Sequence, residues 1–389
     1  MATIGVLTTS YPHSGDPIAG VFVRGMTRAL VSRGHRAEVL APRPSGDTQP
    51  VDDAGIQTRW IDYAPSRLRR TFYGAGVPDN VRRDPRAWPG LLSFPPAMAH
   101  TAHARSRGWD AVISHWALPN GAVAGAVRAS MPHLMVLHSA DVHLLRRLPG
   151  RALLLRQLAR GATEMLFASD ALRRDALSWL KPVARADLSR RCHACAMGID
   201  PPEPTASRSA LRKKWNLTGP TLLTVGRLVP IKGVRHAIDA ARTLGVELLV
   251  VGDGPERAEL ERRASGARVR FLGARTGQDK AELLAAADVF LAPSRELSSG
   301  RTEGTPTAVL EAAAAGLPIV ASPTGGLTEV FEDGASACLV SPLAIATSVR
   351  TLLEDPKATR KMIRRSRRVG LAYRWEALAP RIEQLLFGA

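Results

Sequence analysis

Apolar residues along this chain fall into short strand-like runs, separated by stretches whose apolar positions recur at intervals of three and four. The first run, Thr3 to Thr8, passes through a loop holding Pro12, Gly15, Pro17 and Gly20 into a predicted helix. That helix carries Phe22, Met26, Ala29 and Leu30 at helical spacing and ends near Gly34. A second strand is predicted at Ala37 to Ala41. Strand, glycine loop, helix and strand in that order are the βαβ signal of a doubly wound parallel sheet. Further strands are predicted at Ala111 to Ser114, Leu134 to Leu137, Glu164 to Ala168 and Arg191 to Met197.

Around Pro201, Pro202 and Pro204 the pattern lapses into Pro, Ser and Thr, which reads as a linker. After a short helix, Ser209 to Trp215, a second series begins. Its predicted strands are Thr221 to Val225, Glu247 to Val251, Val269 to Leu272, Val289 to Leu291 and Pro318 to Ala321. Its predicted helices are Val234 to Leu244, Glu256 to Ser265, Asp279 to Ala286 and Thr307 to Ala315. The fold class is therefore α/β, with two Rossmann-like domains, 1–198 and 199–374, and no sequence repeat relating them. The tail from Tyr373 to Leu386 again has apolar residues at helical spacing.

A length of 389 residues agrees with two cores rather than one. No run is apolar and long enough to span a bilayer, and no basic region precedes the first apolar run, so neither a membrane span nor a signal peptide is predicted. Three cysteines, Cys192, Cys195 and Cys338, are too few for a disulfide framework, and a cytoplasmic setting is expected. The compositional outlier is a formal net charge of +18, almost all from arginine. Clusters lie at Arg67 to Arg70, Arg82–Arg83, Arg146 to Arg160 and Arg360 to Arg368. They read either as solvated helix faces or as contacts for an anionic partner. Nucleic acid is not expected, since its binding signatures are missing and aromatic residues make up only 5% of the chain.

Most of the candidate chemistry lies in the second half. Strand Thr221 to Val225 ends in Gly226-Arg227-Leu-Val-Pro-Ile-Lys232-Gly233, just before a helix. Ligands of open parallel sheets bind beyond the carboxyl ends of strands, and two cations beside a helix N-terminus suit a diphosphate. Gly252-Asp-Gly254-Pro occupies the next strand-to-helix turn. Its glycines serve either a close approach to ligand or the turn itself. Glu303-Gly304-Thr305-Pro306 leads into the helix that bears Glu311. Thr305 is the expected N-cap and Pro306 the expected first helical residue, with Glu303 in the loop. A carboxylate there can hold sugar or ribose hydroxyls by charge-assisted bonds. Arg275 completes the donor-side set.

These elements together resemble the retaining glycosyltransferases of family 4, which have the GT-B fold. The resemblance runs from the glycine-rich opening through Gly226-Arg227 and Lys232-Gly233, Gly252 to Pro255, Ala287-Asp288, Pro293-Ser294, Glu303 to Glu311, Gly316-Leu-Pro318, Gly325-Gly326 and Glu329. It implies that Glu303 lies near the transferred sugar, that Glu311 holds the donor ribose, and that Arg227 and Lys232 neutralise the donor diphosphate. In the first half, Asp16 and Gly20 resemble a loop that approaches donor phosphate and acceptor. His138-Ser-Ala-Asp141 resembles the family's His-Gly-x-Asp element, with Ser139 in place of the common glycine. His138 reads as a sugar contact or as a core histidine; His115 and Asp141 are acceptor-side candidates.

The resemblance further implies retention at the anomeric carbon, a nucleotide-sugar donor bearing UDP or GDP, and a small-molecule, lipid-linked or polysaccharide-precursor acceptor. It also implies a C-terminal helix, 375–389, that packs back on the first domain, and closure of the two domains by a hinge. No metal or other cofactor is expected: Cys192 and Cys195 have a Cys-x-x-Cys spacing, yet on a strand they face opposite ways. A nucleotide-sugar epimerase or phosphorylase of the same fold, and a non-catalytic basic scaffold for a membrane or polyanion, are the competing readings. Leucines interleaved with arginines from Leu144 to Leu155 read as a packed amphipathic helix, or as peripheral contact with an anionic membrane at its inner face.

Overall fold

The computed structural model describes residues 1–388 except 47, 52, 75, 128, 129, 299 and 301. The chain divides into two compact units, one of residues 1–198 with 375–389 and the other of 199–374. The C-terminal helix ends at Phe387, and residue 389 lies outside the described residues.

Unit 1 is built on a seven-stranded, all-parallel sheet of β1 (Thr3–Leu7), β2 (Arg36–Pro42), β3 (Ile56–Ile61), β4 (Ala111–His115), β5 (His133–Leu137), β6 (Glu164–Phe167) and β7 (Cys192–Ala194). Its order is 3-2-1-4-5-6-7. Unit 2 repeats this topology with β8 (Thr221–Val225), β9 (Glu247–Val251), β10 (Val269–Gly273), β11 (Val289–Ala292), β12 (Ile319–Ala321) and β13 (Cys338–Leu339), in the order 10-9-8-11-12-13. Each sheet reverses its winding direction once, between β1 and β4 and between β8 and β11. Loops leaving these strands are where doubly wound folds place ligands.

The helices that concern the site and its surroundings are α1 (Val21–Ser32), α2 (Ser139–Arg147), α3 (Arg151–Arg160), α4 (Val234–Leu244), α5 (Gly277–Ala286), α6 (Thr307–Ala315), α7 (Pro356–Ala372) and α8 (Trp375–Phe387). Helix α1 buries Val23, Met26, Ala29 and Leu30, and α8 packs beside it. The fit depends on Gly25: a Cβ there would lie 2.0 Å from the Trp375 indole nitrogen. The stretch from Leu144 to Leu155 is two helices, not one. It breaks at Leu148 to Gly150, with Leu145 and Leu155 buried and Leu144 and Leu153 exposed.

Edge strands β3 and β13 escape the sequence pattern. Strand β3 carries Arg59, which pairs with the buried Glu38 of β2; Arg105 and the Trp109 indole N–H bond the same carboxylate. In unit 2, Asp288 accepts from Arg208, Arg212 and the Thr221 amide, tying the first helix of the unit to the sheet. Part of the arginine excess is thus structural.

Candidate active site

In unit 2 the loop after β8 and the loop after β11 meet at the point of reversal. Gly233 ends the first loop as the N-cap of α4, with φ 60° and ψ 26°. A Cβ on it would lie 2.0 Å from the Pro293 carbonyl, so only glycine allows both the left-handed turn and the contact. Lys232, one residue earlier, places its Nζ 2.7 Å from Glu303 Oε1. The Ser294 hydroxyl donates to the other carboxylate oxygen, Oε2, at 2.6 Å. The cation expected to face a diphosphate and the carboxylate expected to face a sugar therefore hold each other. Both are largely buried, at 22% and 13% side-chain exposure. Gly226, Lys232, Ser294, Pro306 and Val309 help line a concavity there. Arg227 lies exposed at the start of the loop.

The start of α6 differs from expectation. The helix begins at Thr307, and Pro306 is its N-cap, with ψ 119°. Thr305 is one residue too far out to cap the first turn. Its hydroxyl is buried with no partner among the described residues. Gly304 and Glu303 are backed by the Gly325-Gly326 turn, where the Gly326 amide donates to the Gly304 carbonyl at 3.2 Å.

The glycines of Gly252-Asp-Gly254 are explained by the protein itself. Cβ atoms there would lie 1.9 Å from the Gly226 carbonyl and 2.5 Å from that of Leu228. The close approach is of one loop to another. Glu311, on α6, is held by Lys280 of α5 at 2.7 Å, and burial pushes its carboxyl above the usual range. Arg275 sits beyond the edge strand β10, where its guanidinium is bound to the Leu272 carbonyl and Asp279. It is not brought to the Lys232–Glu303 pair.

Unit 1 presents a different cluster at its own point of reversal. Gly20 is the N-cap of α1 with φ 59° and ψ 27°, and a Cβ there would lie 2.1 Å from the Ser10 carbonyl. Next to it Phe22, expected to point to the core, lies 4.8 Å from the His138 ring and 5.8 Å from Trp116. Asp16 is half-buried in the preceding loop, its backbone paired with His13.

His138, at the end of β5, caps α2 by its backbone and stacks on His115 at 5.5 Å, with their ring nitrogens 3.3 Å apart. Burial lowers both imidazoles, His138 to about 3, so neither is charged near neutrality. His115 is fully buried behind His138, which corrects its expected place on the acceptor side: no acceptor can touch a side chain with no exposed surface. Asp141 is buried as well. It accepts from the amides of Ala117 and Val142, and burial raises its carboxyl to about 7. It is a support of the β4 loop rather than an exposed acceptor contact. Trp116, in that loop, adopts φ 69° and ψ 132°, a strained backbone for a bulky residue.

Two family descriptions match this chain: glycosyl transferases group 1 over residues 219–355 and the glycosyl transferase 4-like domain over residues 19–188. A GDP-mannose-dependent alpha-mannosyltransferase of Mycobacterium tuberculosis is 31% identical, over 75% of this chain and 72% of its own. The chain is a family-4 glycosyltransferase. A D-inositol 3-phosphate glycosyltransferase of Xylanimonas cellulosilytica is 29% identical over 97% of the enzyme and 94% of the relative. A GDP-mannose-dependent alpha-(1-6)-phosphatidylinositol monomannoside mannosyltransferase of M. tuberculosis is 27% identical over 100% and 99%. Among solved structures, a sucrose-phosphate synthase from Thermosynechococcus elongatus superposes with a TM-score of 0.74 at 22% identity, covering 99% and 98% of the two chains. Anabaena HepE, in complex with UDP and glucose, does so at 0.71 and 20%, covering both chains fully. The fold of this glycosyltransferase is GT-B.

Sequence reasoning missed Lys280, Phe22 and Trp116 as parts of these clusters, and Ser294 as a partner of Glu303. Ser294 had a signal, being two residues beyond the end of β11 at the point of reversal. Lys280 had none, because its meeting with Glu311 depends on how α5 and α6 pack. Among the described residues no group of three metal-ligating side chains occurs, and no helix is long and apolar enough to cross a membrane.

Proposed function

We propose that this glycosyltransferase moves a hexosyl group from a UDP- or GDP-sugar to a hydroxyl of an inositol-type or lipid-linked acceptor, with retention at the anomeric carbon and without a metal. The observation that carries this reading is the Lys232–Glu303–Ser294 constellation at the carboxyl end of β8 and β11. An arriving diphosphate competes with Glu303 for the lysine. Lys232 then turns to the phosphates together with Arg227, and both stabilise the charge that develops on the leaving group. Glu303, still oriented by Ser294, is released to bind sugar hydroxyls. In a front-face course the departing phosphate oxygen takes the acceptor proton, so no covalent intermediate on Glu303 is needed. Glu311, with one oxygen held by Lys280, offers the other to the donor ribose.

The inositol-type or lipid-linked acceptor is supported by the names of the two relatives that align over nearly the whole chain. His138, with Phe22 and Trp116 around it, is assigned to the sugar as a neutral donor or acceptor of hydrogen bonds.

A thermal-shift panel of UDP, GDP, ADP and TDP tests the donor half. A ligand at about 100 times its dissociation constant adds roughly 2.7 kcal/mol, and UDP or GDP should do so while ADP and TDP do not. No shift with any nucleotide removes the donor assignment. Transfer assays with inositol phosphate and with phosphatidylinositol then test the acceptor. Nucleotide release that needs no acceptor would favour hydrolysis or epimerisation instead.

A further inference from the structure

Helix α7 carries Lys357, Arg360, Lys361, Arg364, Arg365, Arg367 and Arg368, all exposed, and no carboxylate. Its buried stripe is Met362, Ser366 and Gly370, four residues apart. Gly370 lets the helix lie directly on α6, since a Cβ there would be 2.4 Å from the Ala314 nitrogen. Every cation is thereby turned away from the fold. Lys357 with Lys361, Arg360 with Arg364, Lys361 with Arg365, and Arg364 with Arg368 stand one turn apart as like charges, an arrangement that weakens a helix. From Lys357 to Arg368 the row spans about 16 Å at 1.5 Å per residue.

Elsewhere in the molecule arginines find carboxylates. Arg24 pairs with Asp53, Arg43 with Asp62, Arg212 with Asp288, and Arg257 with both Asp253 and Glu261. Among the described residues the charged groups of the seven α7 cations make no ion pair and no hydrogen bond. Folding does not need this charge, and the chain keeps it concentrated on one face.

We propose that α7 is an electrostatic docking surface for an anionic lipid bilayer. The choice of a bilayer rests on the lipid-linked acceptor reading above. It is favoured over nucleic acid because the exposed face interleaves no aromatic, amide or hydroxyl side chain that could stack on or read a base. Nor does it carry an exposed large apolar residue for insertion, so attachment is by charge alone and depends on salt. The helix that meets the lipid is the one packed on α6, which bears Glu311, so docking sets unit 2 at the surface from which a lipid acceptor would be drawn.

The test is co-sedimentation of the full chain with vesicles, in the absence of donor and acceptor. Neutral phosphatidylcholine vesicles are compared with vesicles in which a third of the lipid is phosphatidylglycerol. The protein should bind the anionic vesicles and not the neutral ones, and raising salt from about 0.05 to about 0.5 M should release it. Each basic residue near such a surface contributes about fivefold. A variant with Arg360→Gln, Arg364→Gln, Arg365→Gln and Arg368→Gln should therefore lose at least about 100-fold in binding while keeping the helix, since glutamine is a good helix former. Equal binding to neutral and anionic vesicles, binding by the variant equal to that of the parent, or tighter binding to a duplex oligonucleotide than to the vesicles would each overturn the proposal. The variant should retain the parent's nucleotide-induced thermal shift, because none of its positions lies in the donor loops. Vesicle binding with no nucleotide shift would leave docking standing and remove the donor assignment; the reverse would remove docking alone.

Discussion

The two units begin the helices at their points of reversal by the same device and then surround them with opposite chemistry. Gly20 and Gly233 are both N-caps in the left-handed conformation, at φ 59° and 60°, Gly20 pressed against the Ser10 carbonyl of its own loop and Gly233 against the Pro293 carbonyl of the loop after β11. Beyond them, unit 2 sets out charge: a lysine–carboxylate pair, an exposed arginine and a serine that orients the carboxylate. Unit 1 sets out rings, two buried, stacked neutral imidazoles with the half-buried Phe22 and Trp116 beside them, and a buried carboxyl that is raised to about 7. The backbone solution is dictated by topology, because a parallel strand must turn sharply into its helix at the point of reversal. The side chains are under no such constraint, and the two clusters differ in them.

Replacing either glycine should do the greatest harm. Gly20→Ala and Gly233→Ala should each lose about 3 kcal/mol in equilibrium urea unfolding, from the left-handed backbone and the collision with a carbonyl. If one is tolerated and the other not, the two helix starts are not the same device. Glu303→Gln should lower turnover by about 100-fold or more while nucleotide affinity stays within about threefold, since the lost charge acts on the sugar. An equal fall in both would place Glu303 on the nucleotide. Lys232→Ala should weaken UDP or GDP binding by about 30-fold, roughly 2 kcal/mol, measured by calorimetry. Unchanged affinity would confine the lysine to its ion pair. Lys280→Met should cost about tenfold in nucleotide affinity by freeing and neutralising Glu311; no change would separate Glu311 from the ribose.

A last test probes the buried side of the comparison through pH. Folding raises the Asp141 carboxyl to about 7 from about 3.9 in the unfolded chain. The folded form therefore keeps a proton that the unfolded form releases, and stability falls as pH rises from about 4 to about 7. His138 acts in the opposite sense. Its folded value is lowered to about 3, so its contribution is lost as pH falls from about 6.5. Asp141→Asn removes only the first effect. Its melting temperature should rise relative to the parent as pH goes from about 4.5 to about 7.5, and a constant difference across that range would show that Asp141 does not titrate there.

How far these sites were legible follows from what carries them. The loop cations and the Glu303 to Glu311 element are contiguous in the chain and sit where strand ends and helix starts can be read from apolar spacing. The helices Val234–Leu244 and Thr307–Ala315 appear at the residues that spacing predicts. The cap at Thr305 does not, because a difference of one residue in where a helix starts lies below the resolution of a periodicity. Arg275, expected on the donor side, is bound to Asp279, four residues along in the first turn of α5. The edge strands β3 and β13 were missed because half-exposed strands carry a weak apolar signal, and β3 spends one of its positions on an arginine that serves Glu38.

By itself the sequence determined the α/β class, the two series of strands and helices, the family, and the loops that carry Arg227, Lys232 and Glu303. All of these depend on neighbours in the chain, whose spacing the backbone geometry of strands and helices translates directly into position. Only the tertiary structure decided which groups meet: Lys232 with Glu303, Lys280 with Glu311, and His115 behind His138. It alone also decided which are charged, since the protonation of His138 and Asp141 follows from burial. Burial is a property of packing among strands far apart in sequence, and no local pattern records it.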